Sequence, residues 1–209
     1  MTLTVEPPVQ PMPEAPASPA PGLDALAAAI ADVEGATATE PLPAPSFDAE
    51  AKPRDLVIIA YSGDLEKTWA SLILASTAAA SGINTKVFLT FWGLQTFVRD
   101  EKRITGENLM QKMLSFMQRP GISHRKLSQM NFMGMGPWMM YTLAKKYGAA
   151  KPKELLEACQ ALGVEFMPCQ MTMELFGLKR EDMIDGLGEP VGAATVIELL
   201  ANGAASLFI

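Results

Sequence analysis

One cysteine in this chain is placed by its neighbours to do chemistry. Cys169 lies in the run Gly163-Val164-Glu165-Phe166-Met167-Pro168-Cys169-Gln170-Met171-Thr172-Met173-Glu174-Leu175-Phe176-Gly177. Val164, Phe166 and Met167 have the character of a short strand, and Pro168 removes a backbone donor and ends it. A helical turn is expected to open directly behind the cysteine. In that arrangement the N–H groups of Met171 and Thr172 would point back at the sulfur, and the positive end of the helix would favour thiolate over thiol. A thiolate attacks sulfur or carbon electrophiles, so the chemistry on offer is covalent sulfur chemistry. Read by residue type alone, a lone cysteine after a strand is more often an inert small hydrophobe.

The other nucleophiles and ligands offer less. Cys159 shares an apolar helical stripe with Leu155, Leu156 and Leu162 and reads as a packing residue. His124, in the run His124-Arg125-Lys126, reads as part of a solvated loop. Two cysteines and one histidine form neither a disulfide framework nor a metal-ligand cluster, so no metal and no cofactor are expected.

The elements that must position Cys169 are those of a parallel α/β sheet. Asp55-Leu56-Val57-Ile58-Ile59-Ala60-Tyr61 is a continuous apolar run, as a strand buried on both faces requires. Ser62-Gly63-Asp64 turns the chain, and a helix is expected over 65–80 with Leu65, Trp69, Leu72, Ile73, Ser76 and Ala80 on one face. A second strand is expected over 86–92, ending at Gly93, which makes a right-handed βαβ unit. A short helix is expected from Leu94 to Val98. Further helices are expected over 138–147, capped by Gly148, and from Pro152, which suits a first helical turn. Another helix over 193–200 leads through Asn202-Gly203 to a final strand over 204–209.

Eight of the fourteen methionines fall between Met110 and Met140, broken by Pro120-Gly121 and Gly134-Met135-Gly136-Pro137. Methionine suits cores and adaptable binding surfaces alike. This segment reads as a Met-rich helical insertion that covers the sheet or forms an oligomer interface. Residues 1–52 are dense in Pro and Ala and read as a disordered arm, with a short helix expected over 23–33. Residues 53–209 make the folded domain.

The net charge of −6 leaves no basic face for nucleic acid. The N-terminus lacks a charged and apolar leader, and 130–144 is too short and too broken to span a bilayer. A reducing, cytoplasmic setting is the expectation.

Three stretches resemble the DsrE/DsrF/DsrH-like family of sulfur-handling proteins, in particular its longer DsrE-type subgroup, which also carries a peroxiredoxin-like label. They are Ser62-Gly63-Asp64-Leu65-Glu66-Lys67, Thr90-Phe91-Trp92-Gly93-Leu94, and Cys169 through Gly177; Asn131-Phe132-Met133-Gly134-Met135-Gly136-Pro137 adds to them. The resemblance runs from residue 55 to the C-terminus. It implies a flavodoxin-like parallel sheet flanked by helices, a homo-oligomer, and Cys169 as acceptor of sulfane sulfur in the form of a persulfide. It implies TusA-type sulfur carriers and rhodanese-like donors as partners. The peroxiredoxin label fits poorly, because peroxide reduction needs an acidic thiol with Thr and Arg neighbours in a different motif, which is absent.

Ligands of parallel sheets sit at the carboxyl ends of the strands. Gly63, Phe91, Trp92, Gly93 and Cys169 are therefore expected at one sheet edge, with Phe91, Trp92, Met171 and Met173 sheltering the persulfide. Two other function classes fit the same residues. One is a flavodoxin-like small-ligand or nucleotide-binding module, although no G-x-G-x-x-G fingerprint is present. The other is a scaffold docking at a membrane complex through the Met-rich segment, as a peripheral protein.

Overall fold

A computed structural model describes residues 55–209. The expected arm over 1–52 and its helix over 23–33 lie outside the described residues. Strand β1 (Leu56–Ala60) leads into helix α1 (Leu65–Ala80), and β2 (Thr85–Leu89) follows. The long passage to the third strand holds α2 (Phe91–Gln95), α3 (Leu109–Met117), α4 (Met135–Lys146) and α5 (Pro152–Ala161). Then come β3 (Glu165–Pro168), α6 (Gln170–Phe176), α7 (Ala193–Ala201) and β4 (Ala205–Phe208).

All four strands are parallel, in the order β3-β2-β1-β4. The layered form is the flavodoxin-like one expected, a parallel sheet between helices. Side chains alternate across a pleated strand, and this alternation divides the core in two. Ile58, Ala60, Val87, Leu89 and Phe166 face Leu72 and Ala75 of α1 and Leu156 and Cys159 of α5. Val57, Phe88 and Met167 face the opposite way, against Val196 of α7. The continuous apolar runs of β1 and β2 reflect burial on both faces. Edge strand β4 is exposed, with Phe208 at 69%.

Helix α1 has the expected ends, but its buried stripe differs. Leu65, Trp69 and Leu72 are buried, together with Thr68, Ser71, Ala75 and Ala78, whereas Ile73 is 45% exposed. Small residues let α5 and the sheet approach on the Ala75 side, and this turns Ile73 outward. On α5, Cys159 is buried and Leu162 is exposed, so that stripe is narrower than its sequence suggests.

The second strand is shorter than its apolar run. It ends at Leu89, and Phe91-Trp92-Gly93 opens α2. The cause is tertiary. The Phe91 N–H donates to Thr172 Oγ1 at 3.1 Å, and the Gly93 N–H donates to the Tyr61 carbonyl at 2.9 Å. Phe91 takes a left-handed backbone (φ 45°) to make this turn, a conformation that is costly for an aromatic residue.

The methionines of the middle segment do not cover the sheet. Helix α3 is closed by an Asn108–Gln111 capping box but buries only Ser115, leaving Met110 75% and Met117 70% exposed. Helix α4 packs on α1 through Ala144 and through Tyr141, whose ring stacks on Trp69 at 5.7 Å. Its Met135, Trp138 and Met139 remain exposed.

Leu72 and Ile73 provide a test of the α1 stripe. Leu72→Ala should cost about 2–5 kcal/mol of unfolding free energy, and Ile73→Ala within roughly 1 kcal/mol, both read by urea denaturation. Equal losses would contradict the burial described.

Candidate functional site

Cys169 is held at the carboxyl end of β3 by backbone bonds on both sides. Its N–H donates to the Leu89 carbonyl at 2.9 Å, and an isolated parallel bridge joins it to Val191. Its own carbonyl accepts the Met173 N–H at 3.0 Å, which makes Cys169 the N-cap residue of α6. Its backbone is extended (φ −76°, ψ 115°), and it is a free thiol, 3% exposed.

The sulfur does not lie where the strand-helix junction suggested. No side-chain capping bond forms at Cys169, so the Met171 and Thr172 N–H groups do not reach it. Residues 167 and 169 share strand parity, and the thiol follows Met167 onto the α7 face of the sheet, among Val57, Phe88 and Val196, with Val191 beside it. The apolar shelter around the sulfur is built from these side chains. Val196 and Val191, far along the chain, carried no local signal of that role.

The other site residues do gather at the carboxyl ends of the strands, but not in one cavity with the sulfur. Gly93 lies flat against β1, where a Cβ would run into the Ala60 carbonyl oxygen. A Cβ on Gly63 would sit 2.5 Å from the Trp92 carbonyl oxygen, so both turns depend on the lack of a side chain. Trp92 stacks on Phe176 at 5.2 Å, and both belong with Met173 to the core on the α1 side. Phe91 is half-buried against the same core and 5.6 Å from the Tyr61 ring. Met171 points to solvent at 58% exposure. Met173 also lines an open cleft of about 530 Å³ with Gln170, Glu174 and Lys179, and Gly63 lines a separate cavity of about 430 Å³.

Thr172 ties these parts together. Fully buried, its hydroxyl lies 3.2 Å from that of Thr90 and accepts the Phe91 N–H, so the first turn of α6 is fastened to the end of β2.

Cys159 lies in the α1 face of the core, 0% exposed, with its thiol donating to the Leu72 carbonyl at 3.5 Å. Burial pushes its thiol up to about 11. Arg125, expected in a solvated run, is instead 4% exposed. Its Nε–H donates to the Gly121 carbonyl at 3.1 Å and its Nη2 to the Arg119 carbonyl. Burial draws the guanidinium down to about 10, against the pull of Asp64 and Asp100. Among the described residues no cluster of His, Cys, Asp and Glu could hold a metal ion, and no helix is long and apolar enough to cross a membrane.

The fold and site define a parallel α/β protein with a free cysteine at the carboxyl end of the edge strand β3, sheltered by apolar side chains. Its sequence matches the model of the DsrE/DsrF/DrsH-like family over residues 52–208. The chain belongs to that family. It is 34% identical over 152 residues to the uncharacterized protein YrkE of Bacillus subtilis (strain 168), covering 73% of this chain and 94% of YrkE. It is 35% identical over 159 residues to the sulfur carrier protein DsrE2 of Allochromatium vinosum, covering 75% of this chain and 98% of DsrE2. Among solved structures, the ychN protein from E. coli aligns with a TM-score of 0.47 at 16% identity, over 75% of this chain and 99% of that one. MTH1491 from Methanobacterium thermoautotrophicum aligns with a TM-score of 0.44 at 12% identity, with the same coverage.

The burial of Cys159 has a direct test. In a Cys169→Ala variant at pH 9, where an ordinary thiol is substantially ionised, Cys159 should resist iodoacetamide in native buffer and react in urea, as read by intact mass. Labelling in native buffer at the rate of a free thiol would contradict its raised pKa.

Proposed function

We propose that this protein is a sulfur carrier that holds sulfane sulfur as a persulfide on Cys169 and relays it between partner proteins. The observation that carries this reading is the 35% identity to a protein named as a sulfur carrier, spanning 98% of that relative. Membership of the DsrE-like family supports it, as does a free thiol at a strand end among apolar side chains.

The chemistry balances without an oxidant. The Cys169 thiol loses its proton, and the thiolate attacks the outer sulfur of a donor persulfide. A Cys169–sulfur bond forms, the donor's S–S bond breaks, and the donor leaves as a thiolate. An acceptor thiolate then attacks the outer sulfur and Cys169 departs as thiolate. Valine, phenylalanine and methionine around the sulfur exclude water and competing oxidants from the persulfide. At 3% exposure Cys169 meets its partners from a locally opened form, and the segments beside it, α6 and α7, are the elements that must move. A TusA-type carrier and a rhodanese-like donor, the partners the family resemblance implies, are the expected other parties to this exchange.

The same reading takes 53–209 as the sulfur-handling domain and 1–52 as an arm, with the family match at 52–208 in its support. It also includes a homo-oligomer. Leu109 at 83%, Phe116 at 77% and Met117 at 70% exposure on α3 supply an apolar face of the kind that subunits cover. Peripheral association with a membrane is the competing use of that face.

Incubation with a persulfidated donor should add the mass of one sulfur atom to the wild type and to Cys159→Ser, with complete loss in Cys169→Ser. Addition to Cys169→Ser would overturn the reading. For the assembly, light scattering should give a mass above one chain, lowered by the double variant Leu109→Ser/Phe116→Ser. A monomeric wild type that sediments with liposomes would replace the oligomer with the membrane.

A further inference from the structure

The cavity of about 430 Å³ under the β1–α1 turn is lined by Gly63, Arg125 and His124 together with Arg119, Lys126 and Asp64. One of its lining residues, Arg125, is a buried cation. Arg125 spends Nε and Nη2 on the carbonyls of Gly121 and Arg119, which fastens the loop. Nη1 is buried and has no hydrogen-bond partner among the described residues. It lies beside Gly63, 2.9 Å from where a Cβ there would stand.

A structural clamp accounts for two arms of the guanidinium but not the third. Removing a full charge from water is costly unless an opposite charge or a complete set of hydrogen bonds replaces the solvent. The charges of Asp64 and Asp100 offset part of this cost, but neither carboxylate accepts a hydrogen bond from the guanidinium among the described residues. Asp64 is engaged by the Ser62 hydroxyl at 2.9 Å and by Lys67 at 2.9 Å, and Asp100 by the backbone and hydroxyl of Ser123 at 3.2 and 2.6 Å. The cavity adds the positive charges of Arg119 and Lys126, and His124 contributes a second buried, unpartnered nitrogen, Nε2. Cations outnumber the one carboxylate in the lining.

We propose that this cavity binds a small oxyanion, held at the rim by Arg119 and Lys126, whose oxygens accept the free Nη1 donors of Arg125 once the lining side chains shift to uncover them. Charge-assisted bonds from a guanidinium suit sulfur and phosphorus oxyanions equally, so the shared chemistry is a tetrahedral anion. The site shares no lining residue with the apolar cluster around Cys169, and it stands whether or not Cys169 carries sulfur.

Calorimetric titration of the full chain with thiosulfate and, separately, inorganic phosphate, at constant chloride and ionic strength, tests this. One saturable site per chain is expected for at least one anion, unchanged in Cys169→Ser and weakened on the order of tenfold or more in Arg125→Gln. Tighter binding of thiosulfate assigns a sulfur oxyanion, and tighter binding of phosphate a phosphorylated one. If Arg125→Gln loses its circular-dichroism signature, Arg119→Ala/Lys126→Ala serves instead. Those side chains make no hydrogen bonds among the described residues, and the double variant should keep the fold while binding severalfold more weakly. Absence of saturable binding by either anion, or undiminished affinity in the folded variants, would overturn the proposal.

Discussion

The structure depends on the close approach of backbone to backbone at the carboxyl ends of β1 and β2. Gly93 rests on the Ala60 carbonyl and donates to Tyr61, while Gly63 rests on the Trp92 carbonyl. A methyl group at either position would push the two turns apart. Thr172 then binds Phe91 and meets Thr90, which brings the start of α6 onto the same edge. Through this contact the cysteine at the end of β3 is held in register with two turns that lie about 80 to 100 positions earlier in the chain.

Strand parity decides what the cysteine sees. Met167 and Cys169 share the α7 face, whereas Trp92, Met173 and Phe176 fill the α1 side. The sulfur is therefore enclosed by Val57, Phe88 and Val196 rather than by the aromatic residues of the neighbouring turn. An apolar enclosure suits the persulfide proposed for Cys169, which water and oxidants would destroy, and under that proposal the site opens for exchange. The second cysteine illustrates the contrast: also enclosed, it is bonded to a backbone carbonyl inside the helix–sheet core, and its thiol is pushed towards about 11.

Two features of the surface remain unspent by the fold. The apolar side chains of α3 and α4 project outward where a packed helix would bury them, so the methionine-rich segment leaves an uncovered apolar face. Arg125 does the reverse, taking a charge inward and leaving one arm of it without a partner among the described residues. Both run against the usual partition of apolar inside and charged outside, and departures of that kind concentrate where a protein meets something else.

The sequence by itself determined the parallel α/β class, the ends of α1, the Pro152 start of α5 and the family, because these rest on local signals: apolar runs, helical periodicity, caps and a motif around the cysteine. It also read Cys159 as a residue of an apolar helical stripe, and the structure places it in the α1 face of the core. The tertiary structure alone decided that β2 stops at Leu89, that Ile73 faces out, that Arg125 lies buried, and that the Cys169 sulfur turns away from the helix N–H groups. Each of those outcomes is set by partners distant in the chain: Thr172 and Tyr61 for the turn, α5 and the sheet for Ile73, the Gly121 and Arg119 carbonyls for Arg125, and α7 for the sulfur. Periodicity reports which side of an element is apolar. It does not report which element, or which carbonyl, will arrive to meet it.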